Sequence, residues 1–586
     1  MKRYMKKENN TKVSAGAMPR IAAGFRFLSS EASTLERAVS ILAGAALLSS
    51  LLALLRDRLF AHTFGAGYEL DIYYAAFRIP DLLFVAIGAL VSVYILIPEL
   101  VSRGKDGEKD YIDTIVTGFS VLAVAVAGLA ALLAPSILEI LFPRFVESGH
   151  IEILVTLTRI MLLQPILLGL SNILAAITQV RARYGLYALS PILYNLGIIG
   201  GIVLLYPLWG LPGLAWGVVI GASFHLGIQV PSIVADGFFL RIPRIVESRA
   251  LLRTVLISVP RALALSVNQI AFVGLTALAA TLAPGSIAVF MFAFNLNNVP
   301  LSIIGASYSV AAFPTLAAAY AGGQKNEFVR HVAIAARHVL FWSLPAIALI
   351  VVLRAHIVRV VLGSGAFDWT DTRLTSAALA LFSLSLAAQG LTLLLVRGYY
   401  AAGRTLVPLL VALAGAVGTL VSGVLYLRAF QNTSVLNFVE AILRVEELTG
   451  TSVMALALAY ASISILSTFV LALLFEYQFG GFFSAVRRTF FEGILAALAG
   501  GAGAYMMLVA VGPLTLTSTL VSVFLRGFAG GVTGIIVTAL VYWLLRNREY
   551  RETAEAIRSK LWRVPKTEGE ITVSASAEDV GPSRSQ

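Results

Sequence analysis

RDRLFAHTFGAGYELDIYYAAFRIPDLLFVAIGALVSVYILIPEL, residues 56–100, is the stretch that decides how this chain folds. An apolar run from about 38 to 55 leads into it and ends in Arg56, Asp57 and Arg58. Gly65, Ala66 and Gly67 then mark a reversal, because glycine accepts the positive φ that a tight turn needs. A second apolar run starts near Asp71 and carries Arg78, Pro80 and Asp81 within it. An ionised side chain at mid-membrane costs about 2.5–3.5 kcal/mol on insertion scales, so such residues face water or one another. Arg56, Arg58, Arg78, His62, Asp57, Glu69, Asp71 and Asp81 together predict a charged vestibule. Taken singly, each charge is also open to interfacial snorkelling or mutual pairing. Asp71 is expected to pair with Arg56 or Arg58, in a link that breaks as an outer gate opens.

Composition places that stretch in a membrane. The chain has 586 residues, 58% hydrophobic and only 13% charged, with mean hydropathy +0.85. Soluble domains carry about 25% charged residues. With Cys 0, disulfides, thiolate chemistry and cysteine metal sites are excluded. The net charge of +12 points to membrane-flanking loops and anionic lipid, and no nucleic-acid partner is expected. No phosphate-binding loop, metalloprotease helix or nucleophile elbow occurs, so a transporter without cofactor or metal is expected, not an enzyme.

A span needs about 20 apolar residues, and that rule gives about 14 spans. They fall near 38–55, 71–100, 111–134, 151–179, 186–206, 211–230, 254–282, 286–320, 328–353, 374–401, 406–427, 453–475, 490–511 and 517–545. The fold class is therefore an all-α polytopic membrane protein. Residues 1–35 are expected to be a disordered cytoplasmic arm and 549–586 a cytoplasmic tail, with a basic cytoplasmic linker at 236–253. The basic loops, among them Arg103, Lys105 and Lys109, then Arg181 and Arg183, and later Arg487 and Arg488, put both termini in the cytoplasm.

The chain echoes itself. IPDLLFVAIGALVSVYILIPEL has prolines at Pro80 and Pro98, and VPLSIIGASYSVAAFPTL has them at Pro300 and Pro314. A second echo joins RARYGLYALSPIL and YYAAGRTLVPLL, with Pro191 and Pro408. Offsets of about 215–220 residues with six spans between copies predict a parallel repeat of two six-helix lobes around a central cavity. The lobes are expected at 36–235 and 254–477, followed by a C-terminal helix pair at 478–548.

RDRLFAHTFGAGYELD at 56–71, FRIPDLL at 77–83, LRIPRI at 240–245, SVNQI at 266–270 and RARYGLYALSPILYNLG at 181–197 resemble the MurJ (MviN) family of lipid II flippases. That family sits within the superfamily of multidrug and oligosaccharidyl-lipid exporters. The resemblance covers nearly all of 38–545. It implies two lobes around a V-shaped cavity, and a last helix pair lining a groove for a polyprenyl tail. It also implies export of an undecaprenyl-pyrophosphate-linked glycan for peptidoglycan synthesis across the bacterial cytoplasmic (inner) membrane. Its implied partners are that substrate, membrane lipid and cell-wall synthesis proteins. Arg56, Ala61 and Asp71 match the family pattern. Ser50, Phe84 and Val85, and Phe294 with Asn295, stand where the pattern has cavity charges, three of them arginines. Another lipid-linked oligosaccharide, a drug, or a scaffold role in the same fold are the alternatives.

A pyrophosphate crossing hydrocarbon needs a wet cationic cavity, and the guanidinium fork suits phosphate oxygens. Arg56, Arg58, Arg78 and Arg261 are the candidates, with Arg159 and Arg397 behind them. For Arg261, pairing with a helix-end carbonyl is the other reading. Asn268, Gln269, Asn295, Asn297 and Asn298 offer amides to sugar hydroxyls, or equally to neighbouring helices. Gly500, Gly503, Gly530 and Gly534 offer either a furrow for an isoprenoid tail or plain close packing. No Asp or Glu occurs between Arg249 and Lys325, so a carboxylate ion site in the second lobe is not expected.

Overall fold

The computed structural model describes residues 35–561, apart from 92, 240–242, 514 and 516–517. The expected N-terminal arm, part of the LRIPRI motif and the tail beyond 561 lie outside the described residues. No strand occurs among the residues described.

The helices in chain order are α1 (Leu35–Phe64), α2 (Tyr68–Arg103), α3 (Gly107–Leu141), α4 (Ile151–Val180), α5 (Tyr184–Trp209), α6 (Leu211–Ala235) and α7 (Ser248–Ala280). They continue with α8 (Ser286–Ala321), α9 (Lys325–Val361), α10 (Trp369–Ser383 with Leu386–Ala401), α11 (Leu406–Ala429) and α12 (Thr433–Leu443). The last are α13 (Val453–Phe479), α14 (Phe482–Val511), α15 (Leu520–Leu544) and α16 (Arg548–Leu561). Among the described residues 11 are long and apolar enough to cross a membrane, or 12 when the halves of α10 count as one span. The expected fourteen is not reached by that measure. The helices α1 and α7 stand at the first and seventh expected places outside it. Another departure is the polar stretch after α2, expected as a loop: Val93–Leu141 is one helix of 49 residues. Arg103 there pairs with Glu99 one turn back, at 3.4 Å, which supports helix across the polar segment.

The repeat has a structural counterpart. Both α2 and α8 have 36 residues, and both begin after a glycine, Gly67 and Gly285. Both are interrupted: α2 breaks at Phe77 and tightens into a 3₁₀ turn at Ala89–Val91, while α8 widens into a π turn at Ser302–Ala306 after Pro300. Proline has no N–H to give and its ring crowds the preceding turn, so the ladder loosens there. Their partners break too. Leu162 interrupts α4 just before Pro165, and α10 bends by 43°.

Helices α1 to α6 pack on one another, as do α7 to α11 and α13. The two groups meet mainly where α7 lies along α2 and where the first turns of α8 meet those of α2. The last pair, α14 and α15, pack against each other and on α9. One apolar cluster runs across both groups at their meeting place, including Phe60, Tyr73, Phe142, Phe290, Phe292 and Phe367.

Candidate functional site

Three consecutive residues near the end of α1 point in three directions, because each step along a helix turns by about 100°. The Arg56 guanidinium donates to Asp57 Oδ1 through Nε at 3.0 Å and Nη2 at 2.8 Å, and through Nη1 to Asn195 Oδ1 on α5 at 3.2 Å. Asp57 Oδ2 accepts Asn295 Nδ2 from α8 at 3.1 Å. Asp57 is buried, whereas the Arg56 side chain keeps 21% of its surface. Arg58 turns to the end of α9, where Nη1 donates to the carbonyls of Val360 at 2.7 Å and Val361 at 3.1 Å. The last carbonyls of a helix lack intrahelical donors and carry its negative dipole end, so a guanidinium satisfies both.

Asp71 does the reverse. Its Oδ2 accepts the backbone N–H of Gly285 at 2.6 Å and its Oδ1 that of Ala288 at 2.8 Å. It caps the first turn of α8 from another helix, with the charge at the positive dipole end. This corrects the expected pairing of Asp71 with Arg56 or Arg58: both oxygens are taken by backbone amides.

The turn between α1 and α2 is held to the α9–α10 connection. Ala366 N–H donates to His62 O at 2.9 Å, and Ala66 N–H donates to Asp371 Oδ2 at 3.0 Å. Asp371 is fixed in turn by a capping box with Asp368 at the start of α10. Gly65 and Gly365 face each other here with φ of +61° and +57°. A Cβ on Gly365 would fall 2.3 Å from His62 O, so the loops close only with glycine there. Arg144, after α3, donates to the carbonyls of Thr281 and Leu282 at the end of α7. These contacts form a clasp joining the two halves at one end of the molecule.

Away from the clasp the halves separate. Residues 286–293 of α8 are all buried, but Val310, Phe313, Pro314 and Ala318 near its other end are exposed. There α7 stays in contact with the first half: Ser258 Oγ donates to Leu90 O at 3.3 Å, and Tyr111 and Thr254 share a hydrogen bond of 3.2 Å. The segment before α7 is docked on Thr114 Oγ1, which accepts the N–H groups of Val246 and Glu247.

The other sequence candidates divide. Arg78 is buried and occupied. It donates to Tyr74 O at 3.0 Å, approaches Asp81 at 3.7 Å and lies 5.1 Å over the Phe272 ring of α7. Its place is at the contact between halves, where cation–π packing replaces lost hydration. Arg159 is exposed and donates to Ala131 O on α3, away from any contact with the second half among the described residues. Asn268 is exposed on α7, and Arg397 is half-buried on α10. Arg261 belongs to α7, but its side chain lies outside the described residues. Asn297 is fully buried, with neither amide atom bonded to a described residue.

Gly500, Gly503, Gly530 and Gly534 lie in helix–helix seams, so the structure takes the close-packing alternative at these positions. A Cβ built at Gly500 would fall 2.0 Å from Thr538 Oγ1, and one at Gly534 would fall 2.4 Å from Leu349 of α9. Gly503 faces Val537 and Gly530 faces Leu508 and Leu353. No room for an isoprenoid chain remains at those four Cα atoms.

Sequence reading missed Asn195 and Asp371. Asn195 had a signal, a lone amide in an apolar span four residues after Pro191. Asp371 sits in DWTD at 368–371, which reads only as a helix start. Among the described residues no group of His, Asp or Glu has the arrangement of a metal site.

Comparison with known proteins adds a family and a fold. A family model described as lipid II flippase MurJ matches residues 60–525. A lipid II flippase MurJ from Burkholderia cenocepacia is 26% identical over 408 residues, 67% of this chain and 78% of its own length. A probable lipid II flippase MurJ from Rhizobium tropici is 28% identical over 397 residues, 65% of this chain and 74% of its own. Among solved structures, a lipid II flippase MurJ in an inward closed conformation superposes with TM-score 0.69 at 20% identity, covering 86% of this chain and 99% of that one. An inward-facing multidrug transporter of the MATE family superposes with TM-score 0.58 at 15% identity, covering 75% of this chain and 96% of that one.

Proposed function

The chain belongs to the lipid II flippase MurJ family, and on that premise we propose that it exports a lipid-linked peptidoglycan precursor of the lipid II type by alternating access. It is a multi-pass membrane protein, and we place both termini in the cytoplasm, as the basic loops direct. The clasp end then faces outward. The lobes are 36–235 and 254–477, joined by the linker 236–253 and followed by the pair 478–548. A cavity between the lobes receives the headgroup from the cytoplasmic side while the clasp is shut.

The observation that carries this reading is the one-ended closure. Asp71, Arg58 and the loops at Gly65 and Gly365 join the halves at one end, while the far end of α8 is exposed. Such a device opens one side by breaking a few polar contacts and parting the apolar surfaces that meet beside them. Arg56 is the guanidinium for the pyrophosphate, since it retains exposure, bonds the Asn195 amide directly and is linked to the Asn295 amide through Asp57. Substrate phosphate competes with Asp57 for Arg56, and releasing Asp57 loosens its bond to Asn295. Arg261 and Asn268, both on α7, are the second lobe's candidates for the same headgroup. Arg58 and Asp71 serve the gate.

Complementation tests the substrate. The chain should restore growth to cells depleted of their native lipid II flippase; failure at normal membrane levels would overturn the assignment. Labelling tests the orientation. A cysteine at Gly107 should stay protected from impermeant thiol reagents in intact cells while one at Gly149 reacts, and the opposite pattern would invert the topology. No native cysteine interferes.

A further inference from the structure

The connection between α11 and α13 has no counterpart in the first half. There α5 passes to α6 through a turn at Gly210, while here α12 is inserted. At 11 residues α12 is about 16 Å long, too short to cross a membrane, yet it lies between two long apolar helices. Its inner side is fixed: Glu440 accepts Thr451 Oγ1 at 2.6 Å. Its outer side presents Phe438 at 66% and Ile442 at 61% exposure. A short helix anchored on one side, by Glu440 and by Leu443 in the core, and bare and apolar on the other lies along a bilayer surface.

Where α12 ends, three arginines gather: two donate to successive carbonyls, and the third belongs to the chain end itself. Arg354 of α9 donates to Leu443 O at 3.0 Å, and Arg373 of α10 donates to Arg444 O at 2.8 Å. The Arg444 side chain reaches Tyr505 Oη of α14 at 3.4 Å. None of the three meets a carboxylate among the described residues, although Glu446 and Glu447 follow closely in the chain. A guanidinium has five N–H donors, and these neutral acceptors leave most of them unused.

We propose that Arg354, Arg373 and Arg444, with Tyr505, bind the phosphodiester headgroup of an anionic phospholipid while α12 rests its Phe438 face in the adjoining acyl chains. The bare apolar face fixes the level of the bilayer, and the guanidiniums lie beside it at headgroup depth. Arginine forks suit phosphate oxygens, and an anion restores the charge balance that the protein leaves open. The clasp loops and this cluster share the α9–α10 end, so the bound lipid would brace α9 and α10 on the side where the clasp opens. Only the choice of leaflet rests on the orientation proposed above.

Lipid retention by the purified full-length protein in detergent tests this, because no leaflet or transport is involved. Native mass spectrometry would compare phosphatidylglycerol with phosphatidylcholine of the same chains. Preferential retention of phosphatidylglycerol is expected, weakened about fivefold for each arginine changed to glutamine in Arg354→Gln, Arg373→Gln and Arg444→Gln. Arg444 is exposed, so the single Arg444→Gln protein should fold normally and already show a deficit. Phe438→Ser should lower retention of both lipids. Equal retention of the two lipids, or no loss in the triple variant, would overturn the proposal. So would displacement by millimolar inorganic phosphate, which would mark a free-anion site, or by equimolar undecaprenyl pyrophosphate, which would mark a product site.

Discussion

Helices α2 and α8 are copies in length and position, but α2 is charged where α8 is neutral. Into the half-membrane that follows its first turn, α2 brings Asp71, Arg78 and Asp81; α8 brings Asn295, Asn297 and Asn298. The clasp uses that difference. Asp71 grips the bare amide end of α8, while the entrance to α2 at Ala66 is gripped by Asp371 from α10. Each half therefore supplies a carboxylate to the start of the other half's central helix, from non-equivalent places. Breaking one grip should release one end of the molecule and leave each half folded, since the apolar packing within the halves is untouched.

The largest effect is expected at Asp71. Each charged hydrogen bond contributes about 1.5–3 kcal/mol, and Asp71→Ala removes two. The outward-closed population should fall on the order of a hundredfold or more, and transport with it. A cysteine pair at His62 and Ala366, whose backbones lie 2.9 Å apart, should cross-link readily in the parent and poorly in Asp71→Ala. Unchanged cross-linking would show that Asp71 does not hold the clasp. Next comes Asn295, where the copy lost its charge. Asn295→Asp sets two carboxylates against each other and should hinder closure more than Asn295→Ala, which leaves Asp57 short of one donor at about 1–3 kcal/mol. Equal cross-linking in the two variants would place the Asn295 bond outside the gate.

A smaller change tests the helix pair. Gly500→Ala drives a methyl into Thr538 and should lower stability by about 1–3 kcal/mol, read as an earlier thermal transition in detergent. An unaltered transition with impaired transport would restore the tail furrow at this position. The smallest effect is expected from Arg58→Gln, which removes a partly exposed cap from α9 worth about 0.3–1 kcal/mol. Only a slight shift in cross-linking should follow, and abolished transport would assign Arg58 to the substrate.

Much of the frame was legible because it rests on patterns that survive in one dimension. Apolar runs show membrane helices, prolines at matching offsets show the repeat, and Gly65 with Gly67 marks the first reversal. The residues of the gate were legible as a cluster and misread as pairs. Opposite charges close in sequence suggest ion pairs, and Arg56 with Asp57 is one. Asp71 and Arg58 instead choose backbone atoms more than two hundred residues away. The glycines of α14 and α15 were equally legible as small and equally ambiguous, since a furrow and a seam require the same residue.

The sequence by itself determined that this protein lives in a membrane, repeats itself in parallel, and concentrates its charge beside the first reversal. Hydropathy, proline and glycine act locally, so their consequences are written where they stand. Only the tertiary structure decided what that charge does. A helix terminus offers the same unpaired N–H or C=O groups whatever its side chains, so no residue type announces the partner. Which end is gripped depends on how two folded halves meet.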